Sequence, residues 1–369
     1  MRYLVFSILM LLCFCAGASV NHMVVVDAGS TGTRIHLYEY NLDKQQKSIE
    51  IQQIWSNKIS PGLSQLQNNK ATIESYLTLL TRDLPDKNSP IYFYATAGMR
   101  LVPMNDQKKY YESIQQWFES QYPGVLADIK TISGLDEGVY DWLSVNQQLG
   151  VLNKEINQQV GVLDLGGASV QIVLPTSQEQ SNKTVLLFNE PIYLNTHSFL
   201  GLGQTEVQHQ LMENSSCYAQ KYPMVNGELA DGNAWQCIKS LNALVNDVHQ
   251  VNTIMQSAFT QQSPSRWFVM GSITYTSRAE ALHYDPNNLT AKSLLETADT
   301  SICHQNWQNL QSQYSTDPGL ESYCLYPSYY YALIVNGFGI QAEQVLEQLS
   351  KNNDWTRGVV IAEGTKGIT

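Results

Sequence analysis

The chain is short of charge, and short of positive charge in particular. Only 15% of its 369 residues are charged, and 22 Lys and Arg stand against 33 Asp and Glu, a formal charge of −11. An acidic chain with no basic run lacks the cation density that phosphate-backbone recognition requires, so general nucleic-acid binding is excluded as a function class. Three catalytic signatures are also missing: no GxxxxGK[ST] phosphate loop, no HExxH zinc helix and no GxSxG nucleophile elbow. No CxxC pair exists and the seven histidines show no ligand spacing, which argues against a zinc centre. Beyond the first residues no apolar run is long enough to span a bilayer.

What is present begins with a secretory pattern. Arg2, the apolar run Leu4–Phe14 and the small residues Ala16-Gly17-Ala18 read as a cleavable signal over residues 1–18. Its loss would make the mature chain one charge more negative. Export leads to a secreted or periplasmic location, with no membrane span in the mature chain. Cys13 and Cys15 would leave with the signal, so Cys217, Cys237, Cys303 and Cys324 remain. Four cysteines allow three pairings, and the two local bridges, Cys217–Cys237 and Cys303–Cys324, are favoured. At this length, with 43% hydrophobic residues, the chain can bury a substantial core and form two domains.

Alternation predicts strands at Met23–Asp27 and Thr33–Tyr40, joined as a hairpin, and further strands at Pro90–Thr96 and Ala127–Ile132. Helical spacing covers Asn69–Leu84, Asp106–Tyr122 and a segment from about Asp136 to Leu149. The opening pattern then returns. Gly161–Asp164 is a β run ending in Asp, followed by a glycine turn and the alternating stretch Ser169–Leu174. The repeat reads as a duplicated α/β unit. Residues 177–317 are less regular, apart from a core strand at Arg266–Gly271, and Ser328–Leu349 reads as one long helix.

The chemistry concentrates in the two repeated loops. In Asp27-Ala28-Gly29-Ser30-Thr31-Gly32-Thr33-Arg34, glycines let backbone N–H groups converge on an anion while Ser and Thr add donors. Asp27 at the strand end can face a divalent cation directly or through water. The same loop chemistry is also good turn chemistry, and only its recurrence in Asp164-Leu165-Gly166-Gly167-Ala168-Ser169-Val170-Gln171 favours a phosphate site. Ser169 and Gln171 share one strand face. Glu137 falls in the first turn of a predicted helix, where acids are favoured electrostatically and where a general base could equally stand. Thr96 ends a buried strand; Arg100, four residues on, is expected to pair within the fold. Tyr326 and Tyr330, at i and i+4, could stack on a nucleobase or simply pack a helix face.

Five segments in order, DAGSTGTR (27–34), YATAGMR (94–100), LDEGVYDW (135–142), DLGGASVQ (164–171) and the weaker DWTRG (354–358), resemble the ecto-nucleoside triphosphate diphosphohydrolases, or apyrases. The resemblance implies two RNase-H-like lobes of the actin, Hsp70 and sugar-kinase superfamily with the site between them. Residues 19–134 plus about 346–369 would form lobe I and 135–345 lobe II. It implies Glu137 as the base, with Ser169 and Gln171 holding the attacking water. Gly29, Ser30, Thr31, Gly32, Thr33, Arg34, Gly166, Gly167 and Ala168 would hold phosphates. Asp27, Asp164, Thr96 and Trp355 would surround the water shell of a divalent cation, Mg²⁺ or Ca²⁺ with Mn²⁺ as an option. A base pocket in the second lobe matches Tyr326 and Tyr330 only loosely. The implied substrate is a nucleoside tri- or diphosphate and the implied state a monomer. Two alternatives share the loops: an exopolyphosphatase or guanosine pentaphosphate phosphatase, and a slow nucleotide-binding module of the actin or Hsp70 type.

Overall fold

A computed structural model describes residues 20–258, 264–349 and 354–366. The expected signal, residues 1–18, lies outside them. Two mixed sheets organise the chain. In the first, β1 (Asn21–Ala28) pairs antiparallel with β2 (Thr33–Asp43), which pairs with β3 (Ser48–Ile59). On its other side β1 runs parallel to β4 (Ile91–Ala95), and β4 to β5 (Leu126–Thr131), giving the order β3-β2-β1-β4-β5. In the second, β6 (Gly161–Leu165), β7 (Ser169–Pro175), β8 (Lys183–Leu187), β9 (Glu190–Leu200), β10 (Trp267–Gly271) and β11 (Leu346–Glu347) take the order β11-β10-β6-β7-β9-β8.

The repeat read from the loops is therefore a repeat of topology. Each sheet opens with an Asp-bearing strand that folds back through a glycine turn and is flanked on its far side by a parallel strand. β1 is buried from Met23 to Ala28, and β6 and β7 are buried throughout. Continuous burial is what a central strand covered on both faces requires.

The helices follow from their caps and stripes. α1 (Lys70–Leu80) starts at Asn69, whose side chain accepts from Thr72 N at 2.9 Å, and buries Ile73, Leu77 and Leu80. After the short α2 (Ala97–Arg100), α3 (Met104–Gln121) turns Tyr110, Ile114 and Phe118 inward. α4 (Gly134–Gln148) is capped by Ser133, which accepts from Asp136 N at 3.1 Å. The second half adds α5 (Gln204–Gln210), α6 (Ala234–Asn242), α7 (Val251–Ala258), α8 (Ser272–Thr276), α9 (Ala291–Ala298), α10 (Trp307–Gln313), α11 (Leu325–Tyr331) and α12 (Thr356–Gly364).

α4 and α12 pack together in a layer between the sheets. The core there mixes Val25, Tyr38 and Tyr94 of the first sheet with Val162, Val173 and Phe268 of the second. Two further cores lie outside, one under α1 and α3 and a larger one under the helices of the second half. The bridges Cys217–Cys237 and Cys303–Cys324 form as expected, and all four cysteines are buried in that larger core.

Two expectations need correction. The long helix over 328–349 does not form: α11 passes into a wider turn over Ala332–Gly337, and Gly339 takes a left-handed φ of 75°. The chain leaves the helix there and returns as β11, so residues 346–347 pair with β10 in the second sheet rather than joining the first lobe.

Candidate active site

Both Asp-bearing strands end at one cleft of about 740 Å³. The two hairpins close identically, Gly29 N donating to Gly32 O at 3.0 Å and Gly166 N to Ser169 O at 3.0 Å. They face each other at contact distance: a Cβ on Gly167 would stand 2.8 Å from Ser30 Oγ and 3.5 Å from Thr31 Cγ2. α5 holds the second loop from behind, with Gln204 N and Thr205 N each donating at 2.9 Å to Gly166 O and Gly167 O. Gly203 there lies against the Gly167–Ala168 backbone, too close for any side chain.

Gly29, Ser30, Thr31 and Arg34 line the cleft from one side, and Gly166, Gly167 and Ala168 from the other. Thr33 is fully buried behind its loop and Gly32 lies off the cleft wall. Arg34 Nη1 pairs with Asp27 Oδ2 at 3.3 Å. Asp27 and Asp164 are both buried at the cleft floor. Burial pushes the Asp27 carboxyl up to about 7, with Arg34 opposing and Asp354 and Glu137 adding to the rise. Burial and the neighbouring carboxylates Glu137 and Asp27 push Asp164 up to about 8. Thr96, buried where β4 ends, and Trp355, stacked on Tyr140 at 6.2 Å, also line this floor.

The three residues implied for water activation come together. Glu137 is buried and forms an ion pair with Arg100, the internal pairing expected of that arginine. Arg100 also donates to Ile132 O at 2.9 Å and to Ser169 Oγ at 3.3 Å. Gln171 Nε2 lies 3.2 Å from Glu137 Oε2, 2.9 Å from Ser169 Oγ and 3.1 Å from Ser198 Oγ. Burial raises the Glu137 pKa and the Arg100 charge opposes the rise.

The tyrosines at 326 and 330 do not serve as a base platform. Tyr330 is fully buried, with its hydroxyl 3.0 Å from Thr276 Oγ1, and Tyr326 is buried with its hydroxyl donating to Gln208 at 2.6 Å. Both rings belong to the larger core, because α11 is enclosed by α6, α8 and α9. An enclosed ring has no face to offer a ligand. Tyr275 and Arg278, at and just after α8, line the cleft instead, and Tyr275 is 70% exposed. The signal that could have found Tyr275 is its place four residues beyond the strand-ending Gly271.

Sequence reading also missed a dyad of buried His36 and half-buried Asp354. His36 Nε2 lies 3.2 Å from Asp354 Oδ2, and His36 Nδ1 lies 3.0 Å from Gln53 Oε1. The His36 charge and hydrogen bonds from Thr356 outweigh burial and hold Asp354 down at about 2. Asp141 is different: it is fully buried and neither of its oxygens finds a partner among the described residues. Burial, with Asp164 and Glu137 nearby, raises its pKa well above the carboxylate range and favours the neutral acid.

The donor set fits a hard divalent cation. Asp27 Oδ1 is buried without a partner among the described residues, and two carboxyls whose charge is suppressed by burial and by neighbouring carboxylates would be relieved by a cation near them. Among the described residues no three His, Cys, Asp or Glu side chains converge tightly enough to enclose a metal directly.

A model of the GDA1/CD39 (nucleoside phosphatase) family matches residues 15–366. A "Nucleoside-triphosphatase" of Pisum sativum is 28% identical over 88% of this chain and 82% of its own length. The human "Nucleoside diphosphate phosphatase ENTPD5" is 27% identical, covering 92% of this chain and 86% of its own. Among solved structures, nucleoside triphosphate hydrolases from Neospora caninum superpose with a TM-score of 0.59 at 12% identity, over 95% of this chain and 93% of theirs. The Aquifex aeolicus Ppx/GppA family member gives 0.58 at 13%, over 94% and 99%. These two superpositions bear on the fold alone.

Proposed function

Because the chain belongs to the GDA1/CD39 (nucleoside phosphatase) family, we propose that it is an exported, divalent-cation-dependent hydrolase that removes the terminal phosphate of nucleoside tri- and diphosphates. The observation that carries this reading is the apposition of Ser30 and Gly167: two glycine hairpins from different sheets meet at the cleft that the Asp27 and Asp164 carboxyls also line. Backbone N–H groups and the Ser30 and Thr31 hydroxyls would grip the terminal phosphate from both sides.

Asp27, Asp164 and, at one remove, Thr96 would hold a hydrated Mg²⁺ or Ca²⁺. Such an ion would neutralise phosphate charge when bound. The chain's own residues supply the rest. Ser169 Oγ and the Gln171 amide lie together beside Glu137, so a water held by them presents a proton to the carboxylate. Arg100 opposes the rise that burial imposes on the Glu137 pKa and fixes the carboxylate's orientation. Glu137 takes that proton as the water oxygen bonds to the terminal phosphorus in line, and the leaving phosphate oxygen departs on the opposite side. Hairpin amides not used in closing the two turns would stabilise the charge of the transferring group. Tyr275 and Arg278 border the cleft on the second-lobe side, where a base would emerge.

The test is phosphate release from ATP, ADP, GTP, GDP and UDP with Mg²⁺ or Ca²⁺, with EDTA, and beside long-chain polyphosphate. Release from nucleotides that EDTA abolishes supports the reading. Release from polyphosphate but not from nucleotides overturns it. Export is tested separately by sequencing the N-terminus of the protein recovered outside the producing cytoplasm.

A further inference from the structure

The cleft of this acidic chain is lined by the cations Arg34, Lys58 and Arg278. Arg34 is answered by Asp27 at 3.3 Å. Lys58 pairs with no carboxylate among the described residues, although it stands directly opposite Arg34 in the antiparallel pairing of β2 and β3. Asp27 stands opposite Arg34 on its other side. Asp27, Arg34 and Lys58 are therefore one row across three strands, and all three line the cleft. Like charges directly opposite each other on a sheet face are unfavourable. Two cations side by side, one of them without a counter-charge, are what a site awaiting an anion presents.

Lys58 is also placed rather than merely exposed. Its Cε lies 3.7 Å from where a Cβ on Gly32 would stand, so the side chain runs along the first glycine hairpin. The strand beneath it is anchored, since Asn57 Nδ2 donates to Leu79 O at 3.0 Å and to Leu80 O at 2.9 Å. With strands about 4.8 Å apart, the Lys58 backbone is about 10 Å along the row from that of Asp27. A phosphate chain that has its attacked end over Asp27 and Glu137 and runs along this row would pass Arg34 before it comes within reach of Lys58.

We propose that Lys58 grips the third phosphate counted from the attacked one, a group that a nucleoside triphosphate has and a diphosphate lacks. Lys58 is then the residue that sets triphosphate over diphosphate preference. The inference rests on the nucleotide-hydrolase reading above.

The experiment compares Lys58→Met, which keeps the aliphatic stem and removes the charge, with Lys58→Arg and with Arg278→Met. The quantity read is the ratio of kcat/KM for Mg-ATP to that for Mg-ADP, with the GTP and GDP pair alongside. In K58M the ratio falls about tenfold, the size of one charge-assisted hydrogen bond. In K58R it stays within about twofold of wild type. An unchanged ratio in K58M overturns the proposal, whether both rates fall together or neither moves. So does a ratio that shifts in R278M and not in K58M. Calorimetric binding of a non-hydrolysable triphosphate and diphosphate to wild type and K58M gives the same ratio without turnover. A wild-type protein that hydrolyses neither nucleotide would defeat the activity reading, and this binding ratio would still decide the role of Lys58.

Discussion

Glu137 has to be a charged base in a buried place. Burial alone would favour its neutral form, and the Arg100 guanidinium is what opposes this. Two outcomes follow at this scale. Glu137→Gln keeps the shape and removes the proton acceptor, so kcat falls about 10²–10⁴-fold while the circular dichroism spectrum stays native. Near wild-type turnover would remove Glu137 from the mechanism. Arg100→Gln leaves burial unopposed, so the Glu137 pKa rises and the acid limb of the kcat/KM profile moves to higher pH. A pH-rate series on the variant checks this, and an unmoved limb rejects the role given to Arg100. The residue identities were legible early because a Gly-rich turn after a strand-ending Asp is a recognisable pattern. The Arg100–Glu137 partnership was not, because the two come from different elements 37 positions apart.

At the scale of elements, the second hairpin owes its position to the turn before α5. Gly203 touches the Gly167–Ala168 backbone too closely for a Cβ. Gly203→Ala must push that loop or α5 aside, an overpacking cost of about 1–3 kcal/mol. A lowered thermal midpoint together with a disproportionate loss of activity is the expected result, read by melting curves and phosphate release on one preparation. The disulfides act on another element set. Cys217 and Cys237 are 20 positions apart, and a bridge closing a loop of that order is worth about 3 kcal/mol. Ser replacements at both cysteines should lower the midpoint accordingly and leave Glu137 chemistry intact. The failed long helix over 328–349 shows where periodicity misleads. Its apolar spacing persists past Gly337, but the left-handed Gly339 ends it, and beyond it the chain runs as a part-exposed loop in which Ile340 and Leu346 are buried and Leu346 enters β11. β3, β8 and β9 were not anticipated either; β3 and β8 are sheet-edge strands, part exposed, and such strands lack the unbroken apolar run that marks a central one.

At the scale of the whole molecule, folding brings Asp27 and Asp164 from two sheets to one floor, and their charge makes the assembly sensitive to pH and to cations. Both carboxyls have folded pKa values, about 7 and about 8, above the unfolded value near 4. The folded state therefore binds more protons between these limits, and stability without a cation falls as pH rises from about 4 to about 8. Melting in EDTA should show a lower midpoint at pH 8 than at pH 5, and added Mg²⁺ or Ca²⁺ should raise the pH 8 value more than the pH 5 value. Equal shifts at both pH values would separate the cation from these carboxyls. The α/β class, the duplicated hairpins, the disulfide pairs and the acid-lined phosphate chemistry were all decided locally, by alternation, turn residues and cysteine spacing, and so could be read along the chain. Which aromatic faces the cleft, which cation lacks a partner and which carboxylate meets Arg100 were decided only when two sheets closed around α4 and α12. Exposure and pairing depend on neighbours distant in sequence, and a tyrosine in a helix carries no local mark of whether its face meets solvent or the core.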